Sequence, residues 1–373
     1  MSPQLEIQLI AILVATSCAL PGVFLILRQM AMMADAISHT ILLGIVLAFF
    51  ITKDLSSPFL IIGAALMGTI TVFLVETINK TKLVNEDAAI GLIFPFLFSL
   101  GIILITLYAG NIHLDVDAVL LGELAFAPFN RLVINGVDIG PKSLYTMLGV
   151  LILNILYISL FFKELKLSTF DTGLAAALGF SPVFIHYSLM TLVSITAVSA
   201  FDAVGAILVL AFMVGPPATA YLITDNLTKM LILSPLFGII SALSGYWIAM
   251  YFDVTIAGAM ATMVGIIFAL IFIFLPDRGL IANIRRRKEQ KYEFALISLL
   301  MHLINHENSP IEREEAGINT IKNHLSWDKE FTQEIIDKTL DKNYVYIKDE
   351  ILKITDKGRE FALSNYSYIV EQD

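Results

Sequence analysis

The chain is patterned as long apolar stretches cut by short polar ones. Nine apolar runs stand out, at about 5–27, 33–52, 58–78, 89–108, 144–162, 184–201, 203–224, 230–251 and 255–275. Each is near the ~20 residues that carry an α-helix across the hydrocarbon layer of a bilayer. A shorter run at 118–134 is interrupted by Glu123, Pro128 and Arg131. It is expected to be a re-entrant or half-buried helix, because irregular backbone survives at membrane depth only under protein or along a cavity. After residue 288 the pattern changes. "EQKYEFALISLLMHLINHE" reads as an amphipathic helix, "INTIKNHLSW" and "DKEFTQEIIDKTLDKN" as two more, "YVYIKDEILKIT" as a two-strand hairpin, and "DKGREFALSNYSYIVEQ" as a closing helix. The expected architecture is an all-α polytopic membrane domain over 1–284 followed by a small α+β domain over 285–373.

Composition agrees. Of 373 residues, 57% are hydrophobic and 15% charged, against about 25% charged in an ordinary soluble domain. The single cysteine, Cys18, excludes an intrachain disulfide and any CxxC metal site. The first apolar run lacks a basic leader and is too long for a signal peptide, so it reads as a retained span. Residues 1–284 hold 10 Lys/Arg, whereas 285–373 hold 14 Lys/Arg and 17 Asp/Glu, with the change near "RRRK" at 285–288. Short-loop cations set orientation. With the N-terminus outside, the inner loops carry Arg28, Lys80, Lys82, Lys163, Lys166, Lys229 and Arg278, and the outer ones Lys53, Arg131 and Lys142. The expected topology is N-out, C-in.

Charged residues inside such runs carry the chemistry. An Asp at the centre of a lipid-facing helix costs about 3 kcal/mol on insertion scales, so it normally faces protein or water. Asp35 and His39 stand at i and i+4 on one helix face, among the small residues Ala36, Ser38, Thr40 and Gly44. A carboxylate and an imidazole on one face form a candidate site for manganese, iron(II) or zinc. The competing reading is an Asp–His hydrogen bond that pins two helices. Asp202 opens the run that ends "GPPATA"; it is either an N-cap at the outer surface or part of a transport path. Pro216 and Pro217 are expected to break or kink that helix. Glu123, within "LLGELAF", is a further candidate, and Glu76 reads as a snorkelling or capping acid. His113, Asp115 and Asp117 read as a solvated outer loop that could collect cations.

Three segments carry a resemblance. "MADAISHTILLGIVLAFF", "LSTFDTGLAAALGFSP" (167–182) and "FDAVGAILVLAFMVGPPATA" resemble, in order, the signatures of the manganese/zinc/iron permease family of ABC transporters. The resemblance covers about residues 5–280. It implies a paired permease, as a homodimer or heterodimer, in a cell membrane. It also implies a separate ATP-binding cassette ATPase and an extracytoplasmic solute-binding protein that delivers the metal. By the same resemblance Asp35 and His39 line the metal path, and 167–182 is the ATPase-coupling segment, with Phe170, Asp171, Ala175, Leu178 and Gly179 at its contact. The metal is cargo, so no resident cofactor is expected. Leu43 departs from a proline common in relatives, which removes the expectation of a kink there.

No G-x-x-x-x-G-K-[ST] and no Ser/His/Asp or metallohydrolase arrangement occurs, so the chain reads as the permease and not the motor or an enzyme. Two other readings stay open: a secondary metal transporter with an intramembrane acid as proton site, and a membrane-anchored metal sensor. The tail resembles a winged helix of the iron-dependent-repressor class. Its third helix is acidic, with Asp328, Glu330, Glu334, Asp337 and Asp341 against Lys329, Lys338 and Lys342. Phosphate contacts supply most nucleic-acid affinity, so a regulatory or protein-contact role is expected in place of DNA binding. His302, His306 and His324 are either metal ligands or surface histidines.

Overall fold

In a computed structural model, which describes residues 2–54, 57, 59–108, 124–134 and 137–370, the chain forms two compact units, Met1–Leu275 and Pro276–Asp373. The first unit is built from helices long and apolar enough to span a membrane, nine among the described residues. They are α1 (Pro3–Leu27), α2 (Ala31–Thr52), α3 (Phe59–Lys80), α4 (Glu86–Tyr108), α5 (Lys142–Leu160), α8 (Pro182–Val204), α9 (Ala206–Ile223), α10 (Leu227–Phe252) and α11 (Ile256–Phe274). Two short helices, α6 (Phe162–Phe170) and α7 (Thr172–Ala177), interrupt the series.

Within this unit α1, α2 and α8 form the centre. Ile10, Val14 and Cys18 of α1 pack with Met33, Ala36 and Ile37 of α2 and with Val193, Ala197 and Ala200 of α8. The outer helices turn Ile152, Leu156, Ile232, Leu270 and Phe274 outward. Such apolar exposure suits lipid, where helices satisfy their own backbone groups. Helices α2 and α3 meet backbone to backbone. A Cβ added at Gly44 would lie 2.3 Å from the Gly63 carbonyl oxygen. Small residues allow this approach where no hydrophobic force drives helices together in lipid.

Two expectations require correction. The run at 118–134 is not a helix in its described part. A single 3₁₀ turn (Ala127–Phe129) precedes β1 (Arg131–Ile134), which pairs antiparallel with β2 (Val137–Pro141), with a register shift between Leu132 and Val133. Pro128 cannot donate to a helix, and an Asn-Gly pair at 135–136 is a strong hairpin signal that hydrophobic periodicity does not register. Of the break or kink expected at Pro216 and Pro217, the break does not occur: α9 continues through both. Pro217 leaves the Met213 carbonyl without its usual N–H partner. Gly22 of α1 closes on that oxygen so tightly that a Cβ there would stand 2.0 Å away. Helix α2 likewise passes unbroken through Leu43.

The second unit opens with α12 (Leu280–His306), so "RRRK" lies inside a helix. There follow α13 (Glu312–Glu315), α14 (Ile321–His324), α15 (Lys329–Asp341), the antiparallel hairpin β3 (Val345–Lys348) and β4 (Ile351–Ile354), and α16 (Asp356–Val370). The helix expected at "INTIKNHLSW" is only the short α14. Leu296, Leu299, Leu300 and Leu303 of α12 form one core with Ile335, Ile336, Val345, Leu352 and Ala362.

Candidate functional site

Asp35 and His39 project from the first half of α2. His39 Nε2 lies 3.5 Å from Asp35 Oδ1, with the side chains 34% and 33% exposed. The His39 ring packs against Phe94 and Phe98 of α4, with centroids 5.4 and 5.7 Å apart. Both partners belong to one helix, and 3.5 Å is beyond a good hydrogen bond. The pair therefore pins no helix to another. An oxygen and a nitrogen donor stand open on a shared face, held on one flank by two aromatic rings.

Asp202 lies in the last turn of α8, three residues before the linking Gly205 (φ +79), and is exposed. It is therefore not the N-cap of α9; that place is taken by Gly205, with no side-chain cap. Glu123, His113, Asp115 and Asp117 lie outside the described residues.

The segment expected to contact an ATPase is formed by local capping. Asp171 ends α6 and caps α7, its carboxylate accepting the Leu174 N–H at 2.8 Å. Gly179 follows α7 at φ +87, a left-handed conformation that glycine adopts without strain. The Phe180 N–H then closes on the Ala175 carbonyl at 3.1 Å. Ala175 is buried, whereas Phe170, Leu174 and Leu178 are 59%, 46% and 58% exposed. The segment thus presents three large apolar side chains. Leu174 was missed in the sequence; only the cap at Asp171 could have shown which residues of so short a helix face outward.

A polar relay joins this segment to the spanning helices, and it too was illegible in the sequence. Arg28, just past α1, donates to Ser168 Oγ at 2.9 Å and Thr169 Oγ1 at 3.1 Å. Its third contact is to His186 Nδ1 of α8, at 3.1 Å. A guanidinium can only donate, so Nδ1 accepts and the ring's proton sits on Nε2. That nitrogen lies 2.6 Å from Glu76 Oε1 of α3. The other Glu76 oxygen accepts from Tyr187 at 2.8 Å, and Lys80 stands 3.5 Å away. Glu76 is therefore a paired acid that ties α3 to α8, not a free snorkelling group. Apart from this relay, Arg131 bridges the buried Glu6 of α1 at 3.0 Å and Asp138 of β2 at 2.8 Å. These pairs fasten the hairpin to the start of α1.

Many apolar spanning helices, an open carboxylate–imidazole pair within one of them, and a short segment with exposed apolar side chains wired to the bundle define a class: a multi-pass membrane transport subunit. Residues 5–275 match the ABC 3 transport family, and the chain belongs to it. It is 44% identical over 358 residues to the zinc transport system membrane protein TroD of Treponema pallidum, covering 96% of this chain and 97% of that one. That match runs through most of the second unit. The manganese transport system membrane protein MntD of Bacillus subtilis is 48% identical over 284 residues, 76% of this chain and 96% of its own. Among solved structures, PsaBC from Streptococcus pneumoniae in complex with Fab aligns with a TM-score of 0.62 and 29% identity, over 77% of this chain and 96% of that one. The chain is a multi-pass cell-membrane protein whose relatives are transporter membrane subunits and not enzymes.

Proposed function

We propose that the chain is the permease subunit of an ATP-driven importer of a divalent transition metal, manganese first, then zinc or iron. The observation that carries this reading is the open Asp35–His39 pair within a spanning helix of an ABC-family chain. One oxygen and one nitrogen donor bind a borderline ion without trapping it, and thiolates that would favour a tighter grip are absent. Two ligands leave the coordination shell to be filled by water, other spans or a second permease chain. Loose binding is what transit needs, since an ion held by a full set of ligands is slow to leave. Family membership favours this reading over a secondary transporter.

The ATPase docks on the exposed Phe170, Leu174 and Leu178, and the Arg28–His186–Glu76 relay passes its movement to α1, α3 and α8. A solute-binding protein delivers metal at the opposite end, in an N-out, C-in topology that the cation distribution supports. Residues 285–373 form a winged-helix-like cytoplasmic domain with a regulatory or protein-contact role. Glu334 is held below the usual carboxylate range by the Tyr292 hydroxyl and Lys338, and the excess of acids on α15 suits a protein partner better than DNA. The test is uptake of manganese, zinc and iron, measured in parallel in cells with and without the chain. Loss of manganese or zinc uptake is expected; uptake of all three metals unchanged without the chain would contradict the proposal.

A further inference from the structure

The second unit gathers three histidines around one carboxylate. His302 and His306 sit at i and i+4 on the last turns of α12, their ring centroids 4.7 Å apart. Glu315 ends α13, and His324 ends α14. One ligand atom from each of His302, His306 and Glu315 falls within 4.8 Å of the other two. His324 Nδ1 approaches Glu315 Oε2 at 3.0 Å, and His302 Nε2 approaches the same oxygen at 3.3 Å. The His302 and Glu315 side chains are only 14% and 18% exposed.

We propose that His302, His306 and Glu315, with His324 as fourth ligand, form a divalent-metal site in the C-terminal unit, distinct from the Asp35–His39 pair. Two features support it. The first is spacing. Zinc–nitrogen and zinc–oxygen bonds of about 2.0–2.2 Å at tetrahedral angles put ligand atoms roughly 3.4 Å apart. The two contacts at 3.0 and 3.3 Å are already near that edge, and a His306 nitrogen stands within 4.8 Å of the His302 and Glu315 ligand atoms.

The second feature is charge. Neighbouring acids have ordinary cationic partners: Glu307 pairs with Arg359, and Glu312 with Lys353. The ion-pair partners of Glu315 are imidazoles, side chains that also serve as metal ligands. His302 Nε2 also lies 3.0 Å from the Glu315 carbonyl oxygen, a hydrogen bond that this nitrogen gives up when it turns to a metal. Imidazoles with one carboxylate select zinc-like ions over magnesium or calcium. Loading the site would tie the end of α12 to the short helices α13 and α14.

The probe is zinc, and the sample is the full-length chain in detergent, stripped with chelator and dialysed against zinc. The wild type is expected to hold one more zinc per chain than the variant His302→Asn/His306→Asn. Asp35→Asn should keep that zinc, which separates this site from the transport reading. His324→Asn, at the partly exposed edge of the cluster, should fold normally and bind zinc about tenfold more weakly or worse. Cobalt(II) in the wild type should give visible absorption of a four-coordinate N/O site, lost in the double variant. Equal zinc content in the wild type and the double variant would overturn the proposal. If the double variant does not fold, unchanged zinc affinity in His324→Asn and Glu315→Gln would overturn it instead.

Discussion

Replacing Arg28 by Met tests the relay between the coupling segment and the bundle. The guanidinium makes three hydrogen bonds, to Ser168, Thr169 and His186, at 2.9, 3.1 and 3.1 Å. Hydrogen bonds from a charged donor contribute about 1.5–3 kcal/mol each. The three share one head group and are not additive, so a conservative sum is about 3 kcal/mol. At about 1.4 kcal/mol per factor of ten, local opening of the segment should become roughly 100-fold more frequent. The bundle itself should persist, because Leu165 of α6 stays buried with Leu20, Val23 and Phe24. Hydrogen–deuterium exchange on the full-length protein reads this directly. Amides over 162–177 should exchange much faster, with those of α10 unchanged. Unchanged exchange over 162–177 in Arg28→Met would refute the argument that Arg28 holds the segment.

Gly22→Ala should lower the thermal midpoint in detergent, at a cost of about 1–3 kcal/mol, because its Cβ collides with the Met213 carbonyl 2.0 Å away; an unshifted midpoint would show that α1 and α9 can separate freely. Leu178→Asp puts a charge on the exposed apolar surface of the coupling segment, and should abolish co-purification of the ATPase while the permease still inserts. Gly179→Arg should act on the same readout by a different route, since φ +87 and not crowding makes that position intolerant.

The spanning helices were legible because twenty apolar residues in lipid leave few alternatives to a helix. The run expected at 184–201 is Pro182–Val204, and that at 230–251 is Leu227–Phe252, close at both ends. The hairpin at Arg131–Pro141 was not legible from periodicity, because its turn signal is a dipeptide and its strands are short. The proline pair misled for another reason. Pro216 and Pro217 do remove helix donors, yet α9 runs through both, with Gly22 of α1 packed closely against the Met213 carbonyl. At the candidate site, Asp35 and His39 needed only i, i+4 spacing to be found. The relay needed the fold, since Arg28 meets Thr169 and His186 across 141 and 158 positions. Likewise the three tail histidines were visible as residues, but nothing in the sequence singled out Glu315, one of many tail acids, as the carboxylate between them.

The central claim is that the Asp35–His39 pair contacts the metal in transit, and one measurement reaches it most directly. Asp35→Asn keeps the shape of the side chain and removes its anionic oxygen. Manganese accumulation should be measured against the amount of permease in the membrane, with ATPase co-purification as the control for assembly. The account predicts uptake reduced at least tenfold at normal protein level and normal assembly, since a ligand and its charge are lost from a site with few of either. Full uptake by Asp35→Asn, at wild-type membrane level, would contradict it.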